Sequence, residues 1–192
     1  MRPAHLLALV LLPVLLAACD SEPDPSTRPI HSVADFDKHP CGLFTDDEIK
    51  GVVAQPFELM AGADPAMSGR PKTSSTDDGP ACVYVFAPSG GARDPHVATI
   101  TVSLGLSRSG QQQLDLCLQG AAARAQGYEG VPIGEKACTT PSADLWMRVG
   151  TAHYHVVTVA QPGWSDPFES HVRTRTVSMS VANAAAQRLP RS

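Results

Sequence analysis

The chain has 192 residues, with 15 Lys and Arg against 19 Asp and Glu and a formal net charge of −4. Its cations are scattered, which excludes the basic face or stripe that nucleic acid binding requires. Glycine (15) and proline (17) are abundant, yet 43% of residues are hydrophobic and fall in periodic runs, so the chain reads as loop-rich but globular.

A basic start at Arg2 precedes an apolar stretch from Leu6 to Leu16. That stretch is too short to cross a hydrocarbon core of roughly 30 Å and reads as the h-region of a signal peptide, residues 1–18. Leu16-Ala17-Ala18-Cys19 is similar to the bacterial lipobox. The likeness implies a diacylglyceryl group on the Cys19 thiol, cleavage just before it, and a chain anchored on the extracytoplasmic face of the cell membrane. Residues 19–38 are polar and punctuated by Pro23, Pro25 and Pro29, as a lipidated flexible tether would be. At roughly 3 Å per residue it would reach about 60 Å from the lipid. One extracytoplasmic domain is expected over 39–190.

The folded part opens at Pro40-Cys41-Gly42-Leu43-Phe44-Thr45. Thr45 and Glu48 form a capping box, and Asp46, Asp47 and Glu48 favour the positive end of a helix. Ile49, Val52 and Val53 give that helix an apolar face, and Pro56 is expected to stop it soon after. Ala61 to Pro80 reads as a long mobile loop of small and polar residues. Cys82 to Ala87 is apolar on both faces, as in a central strand, and Val97 to Leu104 returns with Ala98, Ile100, Val102 and Leu104 towards the core. Leu114, Cys117, Leu118, Ala121 and Ala125 predict a helix over about 111–126, with Gly127 as its stop and Cys117 on its buried face. Leu145 to Val149 and His153 to Ala160 form a second hairpin across Gly150-Thr151. The last helix starts at Asp166-Pro167, with Glu169 completing a second box. The alternation of Val172 to Ser180 leaves a strand open there. The order helix, hairpin, helix, hairpin, helix predicts an α+β fold, an antiparallel sheet of two or more hairpins covered by helices.

Cys41, Cys82, Cys117 and Cys138 are an even set in a chain expected outside the cytoplasm, which points to two disulfides. Pairing Cys41 with Cys82 and Cys117 with Cys138 is preferred, since each joins a helix-side segment to the next strand or loop. Spacing alone leaves the other two connectivities open. The cysteines lack the CxxC spacing of a zinc site.

The opening hexapeptide resembles that of the actinobacterial secreted lipoproteins of unknown function, whose domain starts Pro-Cys-x-Leu-Leu-Thr and a helix. The likeness continues at Cys82, followed by Val83-Tyr84 where Arg-Trp is common, and at Val131 to Ala137, similar to Val-x-Gly-Leu-Gly-Asp-Ala with Pro132 in place of the glycine. It ends in the alanine-rich last helix and covers most of the mature chain. The resemblance implies an envelope lipoprotein with a structural disulfide and no catalytic residues to carry over. By analogy it implies a fold like that of PsbP and Mog1 proteins.

His153 and His155 are the candidate metal ligands, because the two-residue period of a strand puts both imidazoles on one face. A third ligand would have to come from His171 or His96 through the fold; otherwise the pair lies on the solvated face of a hairpin. No Gly-x-Ser-x-Gly elbow or phosphate loop occurs, and the acidic run at Asp46 is accounted for by capping. Trp164, in the turn Gln161 to Asp166, is the candidate ligand contact, against a role as a staple over Phe168 or Val172. Trp146 is read as core. The expectation is a non-enzymatic envelope lipoprotein, without a cofactor, that binds a protein partner or a small apolar or carbohydrate ligand between sheet and helices. The alternatives are an envelope enzyme with a site assembled across the fold, for which polar groups must converge in a cleft, and a metal-binding lipoprotein.

Overall fold

The computed structural model describes residues 30–76, 78–90, 97–161 and 167–191, the first four residues of the last segment in backbone only. The fold is α+β. Among the described residues eight strands form one antiparallel sheet: β1 (Pro65–Met67), β2 (Lys72–Thr76), β3 (Gly79–Pro88), β4 (Thr99–Leu106), β5 (Glu129–Val131), β6 (Lys136–Thr139), β7 (Leu145–Val149) and β8 (Ala152–Gln161). Their order is β1-β3-β4-β8-β7-β6-β5, and β2 shares with β1 the outer edge of β3. Both expected hairpins are present, β3 with β4 and β7 with β8, and β4 beside β8 joins them at the centre.

Two helices cover one face, α2 (Asp46–Ala61) and α5 (Pro167–Arg188). Thr45 and Glu48 make the capping box reciprocally, as the sequence predicts. The helix does not stop at Pro56. Pro56 is buried inside it, and α2 runs one more turn to Gly62, which closes it at φ +66°. The proline removes one amide donor and can clash with the preceding turn, at a cost of roughly 3 kcal/mol. Burial of Phe57 and Met60, each worth about 1.5–3 kcal/mol, offsets that cost. The alternation of Val172 to Ser180 is helical here, with Val177 and Ser178 buried and Thr176 exposed.

Ile49, Val53 and Phe57 of α2 and Val177, Val181, Ala182 and Ala185 of α5 belong to one core with Tyr84, Phe86, Ile100, Val102, Leu104, Met147 and Val156 of the sheet. Within that core Ser178 Oγ donates to Thr158 Oγ1 at 2.8 Å, so two buried hydroxyls satisfy one another. At the far end of α5 Arg188 donates to Glu48 at 2.8 Å and lies 4.9 Å from the centre of the Phe44 ring. The guanidinium, with the Thr45 amide, holds the Glu48 carboxyl down at about 2.

Three stretches depart from the sequence reading. Residues 33–38, assigned to the tether, form α1 (Val33–Lys38), capped by Ser32, with Phe36 fully buried edge-on to Tyr154 at 5.3 Å between ring centres. The loop expected from Ala61 to Pro80 contains β1 and β2. The Lys-Thr-Ser-Ser-Thr of β2 is a mostly exposed edge strand held chiefly by backbone pairing to β3, so it carries no apolar alternation. The helix expected over 111–126 is two, α3 (Gly110–Cys117) and α4 (Ala121–Ala125), broken at Leu118 to Gly120.

Both disulfides pair as preferred. Cys41, in a short 3-10 turn at Pro40–Leu43, is bonded to Cys82 in the middle of β3, and Cys117 of α3 to Cys138 of β6. The second bond centres a small cluster on the opposite face of the sheet, where Leu114 and Cys117 pack with Cys138, Tyr128 and Trp146.

Candidate functional site

Three loop ends and α1 meet at one end of the sheet. The start of β3 brings Gly79 and Pro80, the link from β4 to α3 brings Ser107 and Arg108, and the β7–β8 turn brings Thr151 and His153. With Asp37 of α1 they line a cleft of about 250 Å³.

Asp78 organises the cleft from behind. Its carboxylate accepts from Ser107 Oγ at 2.6 Å and from the Ser109 amide at 2.8 Å, while its carbonyl accepts from the Arg108 amide at 2.8 Å. Burial opposes the charge on Asp78, but the Ser107 hydroxyl and the Ser109 amide outweigh it and hold the carboxyl below its usual value. The Ser107 amide in turn donates to the His153 carbonyl at 2.9 Å, tying the loop to β8. Ser107, itself buried, donates its hydroxyl hydrogen bond to a carboxylate. That carboxylate, held below its usual value, is a weaker general base than the imidazole or amine that activates a serine in nucleophilic catalysis.

His153 and His155 do share one face of β8, as the strand period requires. They are not on a solvated face, however. The α3 helix crosses this end of the sheet, and Gly110 at its start lies so close to β8 that a Cβ there would run into the Cβ of His153. The His155 ring stacks on its cross-strand neighbour Trp146, 4.2 Å apart and 7° from parallel. Trp146 is therefore partly buried beneath α3 and not in the main core. The Nε2 atoms of both histidines and Trp146 Nε1 are buried and find no hydrogen-bond partner among the described residues.

Burial pushes the His155 pKa down, against Asp144 and Asp78, which work to raise it. Burial and Arg148 push His153 down, against Asp115. Both rings are accordingly neutral near pH 7. Because the folded-state values are depressed below the unfolded value of about 6.5, the unfolded chain takes up protons first as the pH falls. Stability is full above about pH 6.5 and declines as the pH drops through the folded-state values. Urea titrations at pH 7.5 and 5.5 are expected to show a larger loss for the parent chain than for His155→Phe, which keeps a ring against Trp146. Equal losses would contradict this assignment.

Among the described residues no group of three or more His, Cys, Asp or Glu side chains is arranged to hold a metal ion. His171 cannot complete a set with the pair, since it lies on α5, over the opposite face. There it lines a second cavity of about 240 Å³ with Ala143 and Arg175, and Arg175 pairs with Glu129. His96, Trp164 and Cys19 lie outside the described residues. No described helix is long and apolar enough to cross a membrane.

Sequence reasoning singled out His153 but missed Asp37, Asp78, Ser107, Arg108 and Thr151. These are ordinary turn and helix-end residues, and no local pattern joins segments as distant as 37, 78, 107 and 151. Comparison with protein-family models, curated proteins and solved structures gives no match. The cleft is therefore read from its own chemistry.

Proposed function

We propose that this chain is a lipid-anchored, non-catalytic binding domain of the cell envelope, held outside the membrane by Cys19 and a short tether. The observation that carries the reading is the cleft between α1 and the loop ends, where polar groups converge but the one buried hydroxyl is engaged by Asp78. Such an array recognises a ligand by hydrogen bonds and offers it no activated nucleophile. The two disulfides agree with folding in an oxidising compartment. The lipobox supplies the anchor.

Fractionation of the host cell tests the anchor. The parent chain is expected in the membrane fraction and released by detergent, while Cys19→Ser is expected to remain uncleaved or to be shed in soluble form. A parent chain recovered wholly soluble would contradict the proposal.

A further inference from the structure

We propose that the cavity between the β6–β7 turn and α5 binds a small apolar carboxylate, its body against Pro141, Ala143 and Val172 and its oxygens on Arg175. This goes beyond the binding reading above and does not rest on it, since the cavity shares no lining residue with the cleft beside α1. At about 240 Å³ it exceeds the roughly 150 Å³ cavity that admits a benzene ring, which leaves room for a ring and one carboxylate.

The apolar wall is more than the turn requires. Gly127, at φ +84°, runs so close to Pro141 that a Cβ there would meet Pro141 Cγ at 3.1 Å. Ala143 closes the β6–β7 turn, its amide donating to the Thr140 carbonyl at 3.0 Å. Among the described residues it is the one non-glycine in the left-handed region, at φ +66°. Glycine would take that conformation without strain, so the turn itself does not call for a methyl group. The alanine is nevertheless buried, belongs to neither core cluster, and lines the cavity. Val172 of α5, half exposed, adds apolar surface that a ligand in the cavity covers.

The polar end calls for an anion. Arg175 and His171 line the cavity, and among the described residues no carboxylate does. Arg175 Nη2 donates to Glu129, which lies outside the lining. Its Nε is buried, beyond a ligand's reach. Nη1 is neither buried nor bonded among the described residues, so it is the donor left for a ligand oxygen. An ionised oxygen adds a coulombic attraction to the guanidinium that a neutral carbonyl lacks. His171 offers a further ring N–H. An amine would meet the guanidinium and find no acceptor carboxylate on the wall.

The test is amide chemical-shift mapping on the isotopically labelled full chain in detergent, titrated separately with benzoate, hexanoate, benzamide and benzylamine. The expected result is saturable shifts at Gly127, Ala143 and Val172 with benzoate or hexanoate, binding of benzamide at least about tenfold weaker, and none of benzylamine. Arg175→Met is expected to weaken carboxylate binding at least about tenfold. Glu129→Gln removes one partly exposed ion pair and keeps the fold, and is expected to tighten binding about threefold by freeing the guanidinium. Arg124→Met, at an exposed arginine outside the cavity, is expected to leave it unchanged.

No saturable shift with either acid, or unchanged affinity in Arg175→Met, would overturn the site. So would an Arg124→Met loss as large as that of Arg175→Met, which would mark a general charge effect. Benzamide binding as tightly as benzoate would overturn the ligand class. Should Arg175→Met fail to fold, unchanged or weaker binding in Glu129→Gln removes Arg175 as the anchor.

Discussion

Replacing both Cys41 and Cys82 by alanine is expected to lower the unfolding free energy by about 4 kcal/mol, the entropy of a closed loop of this length in the unfolded chain. The two cysteines are 41 residues apart in sequence, and the bond joins the 3-10 turn before α2 to the centre of β3. For a domain of this size the loss corresponds to a melting temperature lower by roughly 8–16 °C. Cys82 is fully buried, so the alanines also leave a small void, which adds to the effect. Replacing Cys117 and Cys138, 21 residues apart, is expected to cost less, about 3 kcal/mol, and to act locally by loosening α3 over Trp146. Denaturant titration of the two double variants ranks the bonds directly. A larger loss for the Cys117 pair would contradict the assignment of the first bond as the main staple.

Phe36→Ala is expected to be as damaging, with a loss of about 3–5 kcal/mol. The ring is fully buried and meets Tyr154 edge-on, so its removal leaves an aromatic-sized cavity between α1 and β8. The consequence reaches the candidate site, because Asp37 is the next residue and α1 forms one wall of the cleft. Hydrogen exchange is expected to show α1 losing protection first, together with the amides of Thr151 and Ala152. A Phe36→Ala chain with parental stability and full protection in α1 would mean that residues 33–38 are the tether extension the sequence alone suggests.

How much of this was legible in the sequence follows from how far each signal has to reach. The alternation of Ile100, Val102 and Leu104, the Thr45–Glu48 capping box and the Gly150-Thr151 turn are local signals, and the structure places each of these elements within a few residues of the expected bounds. The disulfides were legible because each cysteine pairs with the next one along the chain, 41 and 21 residues on. Strands β5 and β6 are three and four residues long, too short for alternation to register, and the polar edge strand β2 has no core face at all. Pro56 misled because its helix-breaking cost is local, whereas the burial that offsets it is tertiary.

The same limit applies to the site. His153 and His155 stood out through a two-residue period, which holds, while the helix that covers them and the stacking of Trp146 are products of packing. The cleft is assembled from four separate segments, joined by Asp78 to Ser107 and Ser109, by the Ser107 amide to the His153 carbonyl, and by Phe36 against Tyr154.

The central claim is that a lipid-anchored domain carries a small ligand in this cleft, and native mass spectrometry of the chain isolated from its own host's envelope addresses it most directly. The expected result is a chain that begins at Cys19, bears a diacylglyceryl modification, is four hydrogens lighter than its reduced form, and retains a defined small-molecule mass increment that Asp37→Asn loses. A chain without lipid whose mass is bare in both parent and variant would contradict it.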